Sequence, residues 1–300
     1  MKSNLKLLLN PAAASQIELF IRKPRHFLLL AGPSGIGKFQ VSQFIGCQLL
    51  GLLDYKALFS YPYFIHIKRQ KDKKDISIDA IRDVISKLKL HTTGKGEIRR
   101  LVVVENAQHM SEEAQNAFLK TLEEPPVDTV FILTVDSSSN LTGTVVSRAR
   151  LIELLPVSLA DSQKFFAKQF PKIEITNAWQ ISGGRPGLMQ TLLLNEEDHE
   201  LRQAVRLAKQ FISQSKYERL LDSSSVSTDR ESLSLFLDAL GLVLHALQSL
   251  TISQPSSKPS ADLHKKFISS LKLIQNLKLS LENNSNTRAI YLSLCLNLKV

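Results

Sequence analysis

The chain has 300 residues, 43% hydrophobic and 22% charged. That is the composition of a folded globular protein of two or three domains, not of a disordered or collagen-like one. The most apolar region, Leu235–Leu250, is interrupted by Asp238 and His245 and falls short of the ~18 consecutive apolar residues of a spanning helix. The net charge of +10 favours polyanionic partners without specifying one.

In chain order, Met1–Asn10 offers only Leu7–Leu9 as an apolar run. This is too short for a secretory signal, so a cytoplasmic protein with no membrane partner is expected. Phe27–Ala31 (FLLLA) is predicted as a buried parallel strand. It leads into Gly32-Pro33-Ser34-Gly35-Ile36-Gly37-Lys38-Phe39, which fits G-x-x-x-x-G-K between a strand and a helix from Lys38 onward. In such a loop Gly32, Gly35 and Gly37 turn backbone N–H groups toward phosphate oxygens, and Lys38 reaches the terminal phosphates. The next residue should be a Ser or Thr whose hydroxyl ligates Mg²⁺, but it is Phe39. Gln40 cannot replace it, being rotated about a quarter of a turn along the helix.

Cys47 and Cys295 are too few and too far apart for a disulfide framework or a cysteine zinc site. Both are expected to be buried, with no zinc and no other metal site. The basic run Lys68–Lys74 (KRQKDKK) is predicted as a solvated surface loop. Further strands are predicted at Leu101–Glu105 and Val130–Val135, with helices between them. An ATPase of this kind needs the Leu101–Glu105 strand to end in an acid, with a base directly after it. The chain offers Glu105 and then Asn106, and an amide has no carboxylate to accept a proton. Ser111 with Glu112 and Glu113 opens a helix that Pro125–Pro126 stops. The residues leave three outcomes open: an ATPase with an unusual metal shell, ATP bound without turnover, or a retained fold that holds none.

Three zones follow. Residues 1–156 read as an α/β module, a parallel sheet flanked by helices. Residues 157–198 read as a small helical unit with a sharp turn at Gly183-Gly184-Arg185-Pro186-Gly187. Residues 199–300 read as helical throughout, with Leu201, Ala204, Val205, Ala208, Phe211 and Ile212 at the 3.6 period. Ser-rich breaks at Ser223–Ser227 and Ser253–Ser260 are expected to separate its helices. The fold class is α/β followed by all-α.

Ala107–Pro126 (AQHMSEEAQNAFLKTLEEPP) resembles the most distinctive segment of bacterial clamp-loader AAA+ subunits. Ser147-Arg148-Ala149 is similar to that family's S-R-C motif with Ala for Cys, and Gly184-Arg185-Pro186-Gly187 to its sensor 2 turn. The chain's length and degraded loop resemble the delta prime branch of the DNA polymerase III clamp loader. The resemblance implies a P-loop module, a helical lid and a collar domain that assembles a pentameric ring. Its expected neighbours are gamma/tau and delta subunits, with the sliding clamp and primed DNA reached through the complex. Any polymerase activity would belong to the holoenzyme. It further implies a largely non-catalytic stator, requiring no cofactor, that supplies Arg148 in trans to a neighbour's ATP site. Arg185 would meet phosphates of its own subunit or bridge lid and core. Many members carry a four-cysteine zinc module. Here Cys47 stands at the first ligand position and Gln48–Phe64 holds no others. A gamma-like ATPase that turns over ATP itself is the enzyme alternative, and a DNA-binding adaptor driven by the positive charge is a third.

Overall fold

A computed structural model describes residues 6–70, 73, 75–94, 96–194, 200–221, 229–253, 261–283 and 285–299. The Ser223–Ser227 break, nearly all of the Ser253–Ser260 break, part of the Lys68–Lys74 run and the division expected at 198/199 lie outside these residues. The chain forms two compact units, Met1–Ser158 and Leu159–Val300.

The first unit runs α1 (Pro11–Arg22), β1 (Phe27–Ala31), α2 (Lys38–Leu50), α3 (Tyr55–Phe59), β2 (Phe64–Ile67) and α4 (Ile78–Leu88). It continues with β3 (Arg100–Val104), α5 (Glu112–Glu123), β4 (Thr129–Val135), α6 (Gly143–Val146) and β5 (Arg150–Glu153). The strands form a parallel sheet in the order β2-β3-β4-β1-β5. Successive side chains of a strand point to opposite faces, so the unbroken apolar runs of β1, β3 and β4 require cover on both sides. Leu28, Leu30, Leu101, Val103, Val130 and Ile132 pack under α1 and α2. Phe27, Leu29, Val102, Val104, Phe131 and Leu133 pack under α4, α5 and α6.

β3 ends at Val104, one residue earlier than expected, so Glu105 stands just beyond the sheet. The sequence did not disclose β2 and β5. Both are short edge strands, β2 half-buried and β5 carrying exposed Arg150 and Glu153. Charged, brief edges lack the apolar run that marks a central strand. Ser111 caps α5 as expected, its hydroxyl accepting from the Ala114 N–H.

The second unit is helical: α7 (Leu159–Phe166), α8 (Lys172–Ser182), α9 (Pro186–Leu193), α10 (Glu200–Ser213), α11 (Lys216–Leu221), α12 (Arg230–Ser253), α13 (Ala261–Glu282) and α14 (Thr287–Asn297). Its core joins Leu201, Ala204, Val205, Ala208 and Phe211 of α10 to α12, α13 and α14. By length and apolarity α12 could cross a membrane, but Leu233, Phe236, Leu237, Leu240 and Leu244 are buried in that core. Buried Arg219 donates to the carbonyls of Phe211, Ile212 and Leu298, tying α11 to α10 and to the chain beyond α14.

Candidate functional site

In open parallel sheets, ligands bind outside the carboxyl ends of the strands. Here those ends present the Gly32–Gly37 loop after β1, Glu105-Asn106 after β3 and Asp136 after β4. Gly32, Gly35 and Gly37 all hold positive φ, at 159°, 77° and 96°. Gly37 is the N-cap of α2, a left-handed position that a side chain would strain.

Lys38 is 7% exposed and its ammonium is already engaged. Nζ donates to the Gly32 carbonyl at 2.7 Å and to Asp136 Oδ1 at 2.6 Å. The other oxygen of Asp136 accepts from Gln108 Nε2 at 3.1 Å. A carboxylate therefore sits on the group that would receive a terminal phosphate.

The metal side of the loop is also altered. The Phe39 ring stacks on His66, centroids 4.4 Å apart and planes 21° off parallel. His66 Nε2 lies 3.0 Å from Glu105 Oε2. Register places this pair: His66 faces Val103 across the β2–β3 ladder, and the Glu105 N–H donates to the Ile67 carbonyl. Phe59 and Phe64 extend the aromatic cluster. Position 39 offers no oxygen and the Glu105 carboxylate is paired, so this donor set does not fit a nucleotide-bound Mg²⁺ as a P-loop hydroxyl and a free acid would.

Asn106 has φ 53°, among the described residues the only non-glycine with positive φ. Its N–H donates to Thr134 Oγ1 at 2.9 Å. Asn tolerates the left-handed region because its short amide bonds locally. The residue shapes the turn into Ala107–His109 and supplies no base.

Arg148 follows α6, and its guanidinium faces two helix C-termini. Nη1 donates to the Thr144 carbonyl at 2.7 Å and, more weakly, to Ser147 Oγ at 3.4 Å. Nη2 pairs with the carboxylate of Glu123, the last residue of α5. The side chain remains 35% exposed.

Residues 16–158 match the family described as DNA polymerase III, delta subunit. That match spans just under half of the chain. The curated relatives similar to it include the DNA polymerase III subunit delta' of Escherichia coli, 31% identical over 144 residues. That alignment covers 47% of this chain and 41% of the relative. The corresponding subunit of Pseudomonas aeruginosa is 30% identical over 207 residues, covering 63% of this chain and 62% of the relative. The aligned part is thus less than two thirds of either relative. A solved structure from Thermotoga maritima, described as a DNA polymerase III gamma subunit-related protein, aligns over 95% of this chain and 98% of its own. Its TM-score is 0.58 at 18% identity, which establishes a shared fold alone.

Of the residues singled out in the sequence, the first unit brings Gly32, Gly35, Gly37, Lys38, Phe39 and Glu105 to one end of the sheet. Arg148 stands apart from them, at the ends of α5 and α6. Arg185 belongs to the second unit. There Nε donates to the Ser182 carbonyl at 2.6 Å, and the side chain lines a cavity of about 580 Å³ with Asp238 and His245 of α12. Burial lowers the Arg185 pKa, with Asp238 opposing the shift. Cys47 is buried, its thiol 3.4 Å from the Asp54 carbonyl, and Cys295 is buried in the second core. Asp136, His66 and Glu123 were not identified in the sequence. Asp136 follows directly on the apolar run of β4, the position where a polar residue at a strand's carboxyl end commonly meets ligand. His66 carried no such signal, since its strand was not recognised.

Proposed function

We propose that this chain is a delta prime-type subunit of a bacterial DNA polymerase III clamp loader, acting as a stator that does not turn over ATP. It takes its place beside gamma/tau and delta subunits in a pentameric ring in the cytoplasm. The ring loads a sliding clamp onto primed DNA during replication. The chain needs no cofactor of its own and supplies Arg148 to the ATP site of the neighbouring subunit. A guanidinium directed at a γ-phosphate stabilises the charge that spreads over it in the transition state.

The observation that carries this reading is the occupation of the chain's own site. Asp136 holds Lys38, and His66, under Phe39, holds Glu105. Side chains of the chain itself meet the groups that nucleotide and metal would otherwise engage. A subunit so built does not change state through its own nucleotide cycle, which suits a fixed element of a ring whose other members switch.

Titration of the purified chain with Mg-ATP, followed by a phosphate-release assay on the same sample, tests the first half. The expected result is no turnover; sustained turnover would identify a gamma-like ATPase. The second half is tested in the reconstituted loader. Arg148→Ala should lower clamp- and DNA-stimulated ATP hydrolysis by ~10³-fold or more at the site it serves. A loader that runs unchanged would remove Arg148 from the chemistry.

A further inference from the structure

The guanidinium of Arg148 is a long, flexible group on the surface, yet three acceptors hold it in one place. We propose that Glu123 is a positioning residue: it fixes Arg148 in the geometry in which a neighbouring subunit's triphosphate meets it. The inference rests on the reading of Arg148 given above.

Glu123 occupies a locally unfavourable place. It is the final residue of α5, followed by Glu124 at the C-cap. Carboxylates at a helix C-terminus face the negative end of the macrodipole and are disfavoured. Two adjacent acids there bring no benefit to the helix itself. What Glu123 brings is one side of a negative platform, its carboxylate facing the Thr144 carbonyl of α6. The guanidinium spans the two, so α5 and α6 together set its direction.

The contacts also leave the arginine usable. A guanidinium has five N–H donors, and the contacts to Thr144, Ser147 and Glu123 use at most three. The remaining donors, on a group 35% exposed, are free to receive phosphate oxygens. An unrestrained arginine would lose its rotamer freedom when it met the phosphate. This one has lost it beforehand, which is the advantage of a preorganised charge at a site of developing negative charge. The pair is half-exposed, and such pairs are worth little in stability. Its contribution lies in direction.

The test uses the complete reconstituted loader with clamp and primed DNA. Glu123→Ala should lower kcat for ATP hydrolysis several-fold, leaving KM for ATP and the assembled size unchanged. Glu123→Gln keeps a carbonyl oxygen as acceptor for Nη2 and should restore most of the loss. In an Arg148→Ala background, Glu123→Ala should have no further effect. If Arg148→Ala cripples the loader while Glu123→Ala leaves kcat unchanged, or raises it as removal of a latch would, the positioning role is overturned and the finger stands. An equal loss from Glu123→Ala in both backgrounds would make Glu123 a structural residue. If Arg148→Ala is itself without effect, finger and positioning role fall together.

Discussion

Lys38 closes on Asp136 at the carboxyl end of the sheet. A nearly buried ammonium requires a counter-charge, and Asp136 supplies it from the end of β4, 98 residues along the chain. Asp136→Asn should therefore cost the first unit about 1.5–3 kcal/mol, the usual worth of a hydrogen bond to a charged group. It should also create a ligand dependence absent from the parent: millimolar pyrophosphate should raise the melting temperature of Asp136→Asn and leave that of the unsubstituted chain unchanged. A ligand stabilises only the state that binds it, so a rise in both proteins would show that Asp136 does not occupy the phosphate position. The loop itself was legible because its function constrains neighbouring residues: G-x-x-x-x-G-K is local. The groups that close it were not, because Lys38–Asp136 and His66–Glu105 are pairs made by strand adjacency. His66 meets Glu105 only through the register of β2 on β3.

Helices and strands show the same division between local and distant causes. α5 could be read in full from Ser111 to Pro125 because a capping hydroxyl, N-terminal acids and a proline stop all lie within its own sequence. Its seating on the sheet depends on Phe118, fully buried and edge-on to Phe131 at 5.3 Å and 82°. Phe118→Ala should cost about 3–5 kcal/mol, read as a shift in the denaturant midpoint. It should also loosen the helix that carries Glu123. α2 sits under a different constraint. Gly46 lies so close to β3 that a Cβ would stand 2.3 Å from Leu101 Cδ2. Alanine gains about 1 kcal/mol in helix propensity, whereas overpacking a closed core costs about 1–3 kcal/mol. Leu101 has no exposed surface into which to move, so the second effect wins and Gly46→Ala should destabilise. Without β3 in view, that glycine reads only as a weak point in a helix.

For the whole molecule, the two cysteines give one internal reporter to each unit. Cys47 is packed with Leu58 and Leu101 in the first unit, and Cys295 with the core of α10, α12 and α14 in the second. Burial, assisted by the Asp54 carboxylate, pushes the Cys47 thiol up to about 11. Burial also raises the Cys295 thiol, against opposing contributions from Tyr291 and Arg219. The thiolate is the reactive form, so neither cysteine should react with a maleimide at pH 8 in the native chain, and both should react in denaturant. Labelling against denaturant concentration, with Cys47→Ala and Cys295→Ala as single-thiol controls, then reads the opening of each unit separately. The same shift has a pH consequence. An ordinary thiol ionises near 8.5, and between there and about 11 the unfolded chain releases a proton that folded Cys47 retains. Fewer protons on the unfolded state means stability falls as pH rises. The first unit should therefore lose stability above pH ~8.5, and Cys47→Ala should flatten that slope whatever its effect at neutral pH. A slope unchanged by Cys47→Ala would mean that other groups, not this buried thiol, set the alkaline limit of the fold.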